Sequence, residues 1–372
     1  MRPISSLAFL TLLLIGCREK GPARIGDGYP RDKTSGVLLS AIRAAVESAG
    51  VGVAPWTVGG YQPEGSTIQL NTDQATRFAD DPSVVAVVGH AGSRDALLGA
   101  AVYNQRGVPN VVPNATTRRL ATTGPWTFTL VPDDSVQGEF IANYALDSLH
   151  AKRISILFLG DEYGIGLRDG LSAGLRTRAT RLVDATMIPT ETCFASRSIV
   201  LYESIVRAAL RRGTPDVVVI TAGNPNGWCV ADLVHAMNPA TWIVFSDGMD
   251  GARQLPDPAR GIPDLPLRIV AARIRGVEFW EPGTDSLSRT FVERMQRLIH
   301  RSPDASQALQ FDAYMLLAAA IREAGPSRAA VRQWLESLGR SHEPWQGVTG
   351  PIAFNRPRSE ILRMSGPGHT MP

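Results

Sequence analysis

The sequence predicts an α/β protein whose parallel strands form sheets covered by helices on both faces. Short apolar strands alternate with amphipathic helices along most of the chain, which is the pattern of repeated βα units. The stretch 84–120 shows it clearly: the apolar run 84–88 is short and rich in β-branched residues, and a helix and a second buried strand, 108–112, follow it. A length of 372 residues favours two domains over one.

Each of these two strands ends in a polar turn. Gly89 ends the first strand, and Ser93 is predicted to cap the next helix, which Gly107 ends. The segment 114–117 follows the second strand as another predicted strand-to-helix turn. Because neighbouring parallel strands end at one sheet edge, hydroxyls and free N–H groups should meet there, and ligands bind at that edge in open α/β sheets.

The same alternation continues to residue 354. A helix capped by Ser135 is predicted, together with helices over 35–49, 72–78, a segment ending at 175, 199–212, 230–237, 287–301, 305–324 and 328–338. Strands are predicted over 23–26, 51–58, 126–131, 153–159, 182–188, 217–221, 242–245 and 269–277, with a turn and a strand in 345–354.

The charge pattern argues against a nucleic-acid partner. The net charge is only +3, and the basic residues, nearly all arginine, are scattered along the chain. The longest basic runs are pairs such as Arg118-Arg119, which are typical of a solvated surface.

The amino terminus resembles a bacterial lipoprotein signal peptide. Arg2 precedes an apolar run, 4–15, which is too short to span a bilayer and ends in Gly16-Cys17. We expect residues 1–17 to be the lipoprotein signal region, with cleavage before Cys17 and acylation of its thiol, so that lipid on Cys17 anchors the protein to a membrane outside the cytoplasm. The alternative is an ordinary secretory signal with a chance cysteine.

The other two cysteines, Cys193 and Cys229, form an even pair in a chain expected outside the cytoplasm. They are either a disulfide or two separate buried thiols. No metal site is predicted, because neither cysteine has Cys or His neighbours and the six histidines are dispersed.

Six motifs in order resemble the type I periplasmic substrate-binding proteins of the branched-chain amino acid (Leu/Ile/Val) transporter class. They lie between about residues 72 and 355, and none is diagnostic alone. They are DPSVVAVVGHAGS (81–93), VYNQRGVPNVVPNAT (102–116), the stretch 133–138, DEYGIGL (161–167), FDAYMLL (311–317) and GVTGPIAF (347–354).

The resemblance implies two Rossmann-like lobes that are joined by a three-strand hinge and close on a small ligand. Lobe 1 would comprise 18–131 and 281–345, and lobe 2 would comprise 132–280 and 346–372. The crossovers are expected near Pro132, Glu281 and Trp345. Members of the family deliver ligand to an ABC permease, and some act as sensors.

The resemblance also implies ligand-binding residues in lobe 1. Ser93 matches the serine that binds the ligand carboxylate, although its hydroxyl could simply cap the helix. Asn114, Ala115 and Thr116 match the second ligand loop, which offers a carbonyl, a hydroxyl and an N–H group.

Three further residues are assigned in the same way. Tyr163 matches the tyrosine that closes over the ligand from lobe 2; the alternative is an aromatic that packs on the sheet edge. Asp247 falls where an acidic residue pairs with the ligand ammonium, unless it is an exposed turn residue. Arg94 replaces a small residue beside Ser93, where it either meets an anion or points to solvent.

Several loops depart from the family pattern, so the ligand's identity stays open. The first loop is shortened to 26–30, the usual acidic pair is missing near 58–60, and the loop 222–226 lacks an aromatic residue.

No enzyme or cofactor is predicted. The glycines of 164–170 do not fit a dinucleotide fingerprint, and hydrolase, zinc-protease and P-loop motifs are missing from the sequence. The alternative to transport is a ligand-sensing or regulatory envelope lipoprotein with the same fold.

Overall fold

A computed structural model describes residues 23–29, 36–48, 50–55, 67–193, 198–223, 226–249, 273–283, 285–300 and 302–366. The predicted signal peptide with Cys17 lies outside these residues, as do the segments 58–60 and 224–225. Within the described ranges, every helix is too short or too polar to cross a bilayer.

The first part of the chain builds a five-stranded parallel sheet with the strand order β2-β1-β3-β4-β5. Its strands are β1 (Arg24–Asp27), β2 (Gly52–Ala54), β3 (Val84–Val88), β4 (Asn110–Val112) and β5 (Thr127–Thr129). The helices α1 (Gly36–Ser48), α2 (Thr67–Asp80) and α3 (Ser93–Arg106) connect the first four strands. All five residues of β3 are buried, as expected for a central strand covered on both faces.

The middle of the chain alternates regularly between helix and strand. Its helices are α4 (Asp134–Asn143), α5 (Glu162–Thr177), α6 (Ser198–Gly213) and α7 (Asn226–Met237). Its strands are β6 (Ile154–Leu159), β7 (Asp184–Ile188), β8 (Val217–Thr221), β9 (Trp242–Phe245) and β10 (Ile274–Glu278).

The last part of the chain first packs helices against the first sheet unit and then adds a strand to the second sheet. The helices α8 (Ser286–Ile299) and α9 (Ala305–Ala324) pack on α1, and α10 (Arg328–Ser337) packs on β3. A hairpin of β11 (Trp345–Gly347) and β12 (Gly350–Ile352) follows. The final strand, β13 (Arg363–Ser365), pairs antiparallel with β10 and completes a second sheet of order β13-β10-β9-β8-β6-β7.

The predicted α/β architecture with two parallel-sheet units is confirmed, and β3, β8, β9 and α9 have the bounds that the sequence predicts. The strand β13 was not predicted. Its three residues, Arg-Met-Ser, carry no apolar run, and only pairing with β10 makes them a strand.

Three local predictions are wrong. Asp133, not Ser135, caps α4, because the Asp133 carboxylate accepts from the Ser135 and Val136 amides at 2.8 and 3.1 Å. Gly92, not Ser93, is the N-cap of α3, so Ser93 is the first helical residue. The turn after β4 leads into a short 3₁₀ helix, Arg118–Thr122, rather than an α-helix.

Buried polar contacts tie together the segments that connect the two sheets. The Asp312 carboxylate in α9 accepts from the Val348 and Thr349 amides, both at 2.8 Å. The Arg358 guanidinium donates to the carbonyl oxygens of Leu130 and Thr349 at 2.8 and 2.9 Å. These bonds fix the chain after β5 and the chain after β11 relative to one another.

Candidate functional site

A cleft of about 700 Å³ lies where strands of both sheets end. The start of α3 and Asn114 line it from the first sheet, and the residues after β6 and β9 line it from the second. Both sets stand at the carboxyl ends of parallel strands, which is where ligand sites form in open α/β sheets. Of the predicted site residues, the cleft walls include Ser93, Arg94, Asn114, Tyr163 and Asp247.

Ser93 presents a hydroxyl that the helix itself does not use. The side chain is only 4% exposed, and its Oγ is buried without a hydrogen-bond partner among the described residues. The cap residue, Gly92, provides no side-chain bond to the helix, and Gly92 and Ser93 both line the cleft. Buried hydroxyls are normally paired, so this one is a candidate to bond a ligand beside the positive end of α3.

Arg94 lies half-exposed on the same wall, and its Nε is 3.4 Å from the Asp95 carboxylate. Burial raises the pKa of Asp95, and the charge of Arg94 opposes that rise. The guanidinium is therefore engaged with a neighbouring carboxylate as well as lining the cleft.

The residues of the second predicted ligand loop, 114–116, line two different cavities. Asn114 lines the cleft and donates through Nδ2 to the Ser306 hydroxyl of α9, while its Oδ1 is buried without a partner among the described residues. Ala115 and Thr116 are 2% and 1% exposed and line a different cavity, beside β5. Their assignment as ligand contacts stays a prediction.

Tyr163 and Asp247 form one hydrogen-bonded group on the wall of the second sheet. The Tyr163 hydroxyl lies 2.7 Å from the Asp247 carboxylate and accepts from the Gly248 amide at 2.8 Å. The hydroxyl of Ser246 is also 2.7 Å from that of Tyr163. Neither Tyr163 nor Asp247 is an isolated surface side chain.

Gln137 completes this group and is a residue whose role the sequence did not reveal. Its Nε2 donates to the Asp247 carboxylate at 2.8 Å, and its Oε1 accepts from the Asp247 amide at 3.1 Å. Burial raises the pKa of Asp247, and the hydrogen bonds from Tyr163 and Gln137 oppose the rise. The only sequence signal for Gln137 was its place in the 133–138 motif.

Glu162 connects the cleft wall of the second sheet to the first sheet unit. Its carboxylate accepts from the Thr117 hydroxyl at 2.9 Å and from the Arg119 guanidinium at 2.9 Å, and both donors follow β4 of the first sheet. Sequence reasoning missed this residue as well, because its partners lie 45 and 43 positions away.

The cleft carries an excess of negative charge. Among the described residues, its lining includes five carboxylates and one cation, Arg94; the carboxylates are Asp95, Asp161, Glu162, Asp247 and Glu278. Such a surface favours a ligand with an ammonium or other cationic group. Within the described ranges, no group of three or more His, Cys, Asp or Glu side chains could hold a metal ion.

A disulfide lies behind the second wall. Cys193 and Cys229 are bonded to each other, with their Cα atoms 6.2 Å apart. The bond joins the segment after β7, which contributes Thr190 to the cleft, to the first turns of α7. The structure thus decides between the two alternatives that the sequence left open.

Two parallel-sheet units with polar side chains around a shared cleft are the architecture of a two-lobed binding protein. The sequence model of the family described as periplasmic binding protein matches residues 38–363 of this chain. The chain therefore belongs to the periplasmic binding protein family, whose members act outside the cytoplasm.

Curated relatives and solved structures agree with this membership. An amino acid binding protein of Pseudomonas aeruginosa is 30% identical over 102 residues, 27% of each chain. The Leu/Ile/Val-binding protein homolog 1 of Brucella abortus is 26% identical over 187 residues, 48% of this chain and 50% of that protein. The matched segments thus span half or less of these two relatives.

The similarity to solved structures covers about nine-tenths of this chain. A leucine-binding protein from Thermotoga maritima superposes with a TM-score of 0.70 at 18% identity, covering 91% of this chain and 93% of the other. A substrate-binding protein of an ABC transporter from Desulfitobacterium hafniense, solved with Leu, gives 0.68 at 21% identity, covering 90% and 93%. At these identities the likeness shows the fold.

Proposed function

We propose that the protein is an extracytoplasmic solute-binding protein that captures a small amino-acid-like or other carboxylate ligand in the cleft and delivers it to an ABC permease. One observation carries the proposal: the buried Ser93 hydroxyl has no partner in the described structure and lines the same cleft as the Asp247 carboxylate. A hydroxyl at a helix amino terminus suits a carboxylate, and an acidic group suits an ammonium.

The ligand would be held between two lobes that close on it. Lobe 1 comprises 18–131 and 281–345 and offers Ser93, Arg94 and Asn114. Lobe 2 comprises 132–280 and 346–372 and offers Tyr163 and Asp247. Binding and release need no bond-breaking chemistry, so we assign no catalytic residue and no cofactor.

A thermal-shift screen of purified residues 18–372 against amino acids, amides and small carboxylates tests this proposal. We expect at least one compound to raise the melting temperature in a saturable way, because a ligand that binds only the folded protein stabilises it. A broad screen without such a compound contradicts the proposal and favours the envelope regulator without a transport role.

We further propose that acylated Cys17 anchors the protein to a membrane. The support is the sequence alone, an apolar run that ends in Leu-Ile-Gly-Cys. The variant Cys17→Ala should appear in the soluble fraction when membranes are sedimented. If the variant remains tightly membrane-bound, the anchor is not at Cys17.

A further inference from the structure

A second cavity lies along β5, apart from the cleft. Its volume is about 410 Å³, and the loop 115–118, the strand β5 and the segment 353–358 bound it. A recess of about 350 Å³ shares Arg340, Arg356 and Arg358 with it. None of the residues that line either space lines the cleft.

The cavity itself is lined by more arginines than carboxylates among the described residues. In the adjoining recess Glu343 and Glu360 add negative charge, and Arg356 lies 4.0 Å from Glu360. The arginines of the cavity are Arg118, Arg340, Arg356 and Arg358, and its carboxylates are Asp133 and Glu336. Both carboxylates are already engaged: Asp133 caps α4, and Glu336 lies 3.0 Å from Arg332. The guanidinium groups of Arg118 and Arg340 have no hydrogen-bond or ion-pair partner within the described part of the chain.

Hydrogen bonds hold the buried side chain of Arg358 in place at this cavity. It is 3% exposed, and its two Nη atoms are held by the carbonyl oxygens of Leu130 and Thr349 at 2.8 and 2.9 Å. Its Nε is buried and has no partner among the described residues. A buried donor without a partner carries a desolvation penalty that a bound acceptor would relieve.

We propose that this cavity binds a small oxyanion that carries phosphate or carboxylate groups. Arginine presents planar donors that match both groups, and three arginines around a fourth, immobile one can contact a multivalent anion from several sides. The concave shape fits a small molecule, in contrast to the flat basic stripe that nucleic acid requires. The proposal is independent of the function assigned to the cleft.

Calorimetric titration of residues 18–372 with pyrophosphate and, separately, citrate at constant ionic strength tests this site. We expect one equivalent of at least one probe to bind, and the responding probe distinguishes a phosphate from a carboxylate ligand. The double variant R118Q/R340Q should weaken binding by about tenfold or more, since it removes two cationic hydrogen-bond donors from the anion.

Two variants serve as controls. R176Q removes an exposed arginine of α5 and should bind as tightly as the unaltered protein. Ser93→Ala should also bind the anion normally, because Ser93 belongs to the cleft. The proposal is overturned if neither probe binds, if R118Q/R340Q retains full affinity, or if Ser93→Ala abolishes binding.

Discussion

Ser93 shows how a single residue can be identified from its position and then redefined by its contacts. The strand–glycine–serine pattern predicted a hydroxyl at the amino end of a helix, and the structure has one there. The alternative role for this hydroxyl was to cap the helix. Gly92 is the N-cap instead, so the hydroxyl of Ser93 is buried and unpaired among the described residues. That difference turns a helix signal into evidence for a ligand site.

Sequence reasoning pointed to Tyr163 and Asp247 through the family resemblance, and both line the cleft. It could not find Gln137, which is 110 positions from Asp247, because nothing in the local sequence encodes a bond over that separation. The folded chain alone brings the amide and the carboxylate together. Sequence reasoning missed Glu162 for the same reason, since its partners lie 45 and 43 positions away.

Asp134 gives a prediction about pH. Burial is the largest cause that raises the pKa of this carboxyl group to about 8; the charges of Asp247, Asp133 and Glu162 contribute to the rise, and the neighbouring Thr116 opposes it. The folded state therefore holds a proton that the unfolded chain loses near pH 4. The stabilisation from this group is complete below about pH 4 and is lost as the pH rises through about 8.

We expect the melting temperature to fall between pH 6 and pH 9, and the variant Asp134→Asn to show a flatter profile over that range. Differential scanning calorimetry at several pH values measures both curves. Asp169→Asn, at an exposed position of α5, is the control and should keep the slope of the unaltered protein. Equal slopes for all three proteins would show that Asp134 does not titrate there.

At the scale of elements, the glycines of 164–170 acquire a structural role. A Cβ atom at Gly170 would lie 2.1 Å from the Asp134 carbonyl oxygen, and one at Gly138 would lie 2.3 Å from the Gly170 carbonyl carbon. The glycines thus let the backbones of α4 and α5 approach closely. The glycine segment 164–170 does not match a dinucleotide-binding motif, but it contributes Gly170 to the packing of α5 against α4.

The variant Gly170→Ala should lower the free energy of unfolding by about 1–3 kcal/mol, the usual cost of overpacking, because backbone atoms cannot move aside as a flexible side chain can. Urea denaturation measures the change. Arg176→Ala, on the exposed face of the same helix, should change stability by less than about 0.5 kcal/mol. A Gly170→Ala variant as stable as the original would contradict the close packing.

Periodic helices and wholly apolar strands were more predictable than short elements of mixed composition. Long periodic segments such as α9 and buried strands such as β8 carry their own signal in the sequence. The strand β13 and the 3₁₀ turn after β4 do not, since pairing with β10 and packing against the rest of the sheet decide them.

In the whole molecule, the two sheet units touch directly beside the cleft. Glu162, which follows β6 of the second sheet, bonds Thr117 and Arg119, which follow β4 of the first. Arg119 is largely exposed, at 68%, so solvent screens its ion pair and the contact contributes only about 0–1 kcal/mol. A contact of that size can bias the two lobes toward closure without locking them.

The variant Glu162→Ala should therefore shift the ligand-free protein toward a more open form. Small-angle X-ray scattering should report a larger radius of gyration than for the unaltered protein. Glu203→Ala breaks an ion pair within α6 that does not join the two sheets, and it should scatter as the original does. Identical scattering from all three proteins would mean that the Glu162 contact does not influence closure.

In the proposed function, Ser93 and Asp247 hold one small ligand between them. Isothermal titration calorimetry with the best compound from the screen tests it in the unaltered protein, in Ser93→Ala, in Asp247→Asn and in the control Ser172→Ala on α5. We expect Ser93→Ala and Asp247→Asn each to lose affinity by about tenfold or more and Ser172→Ala to lose none. Unchanged affinity in Ser93→Ala and Asp247→Asn would contradict it.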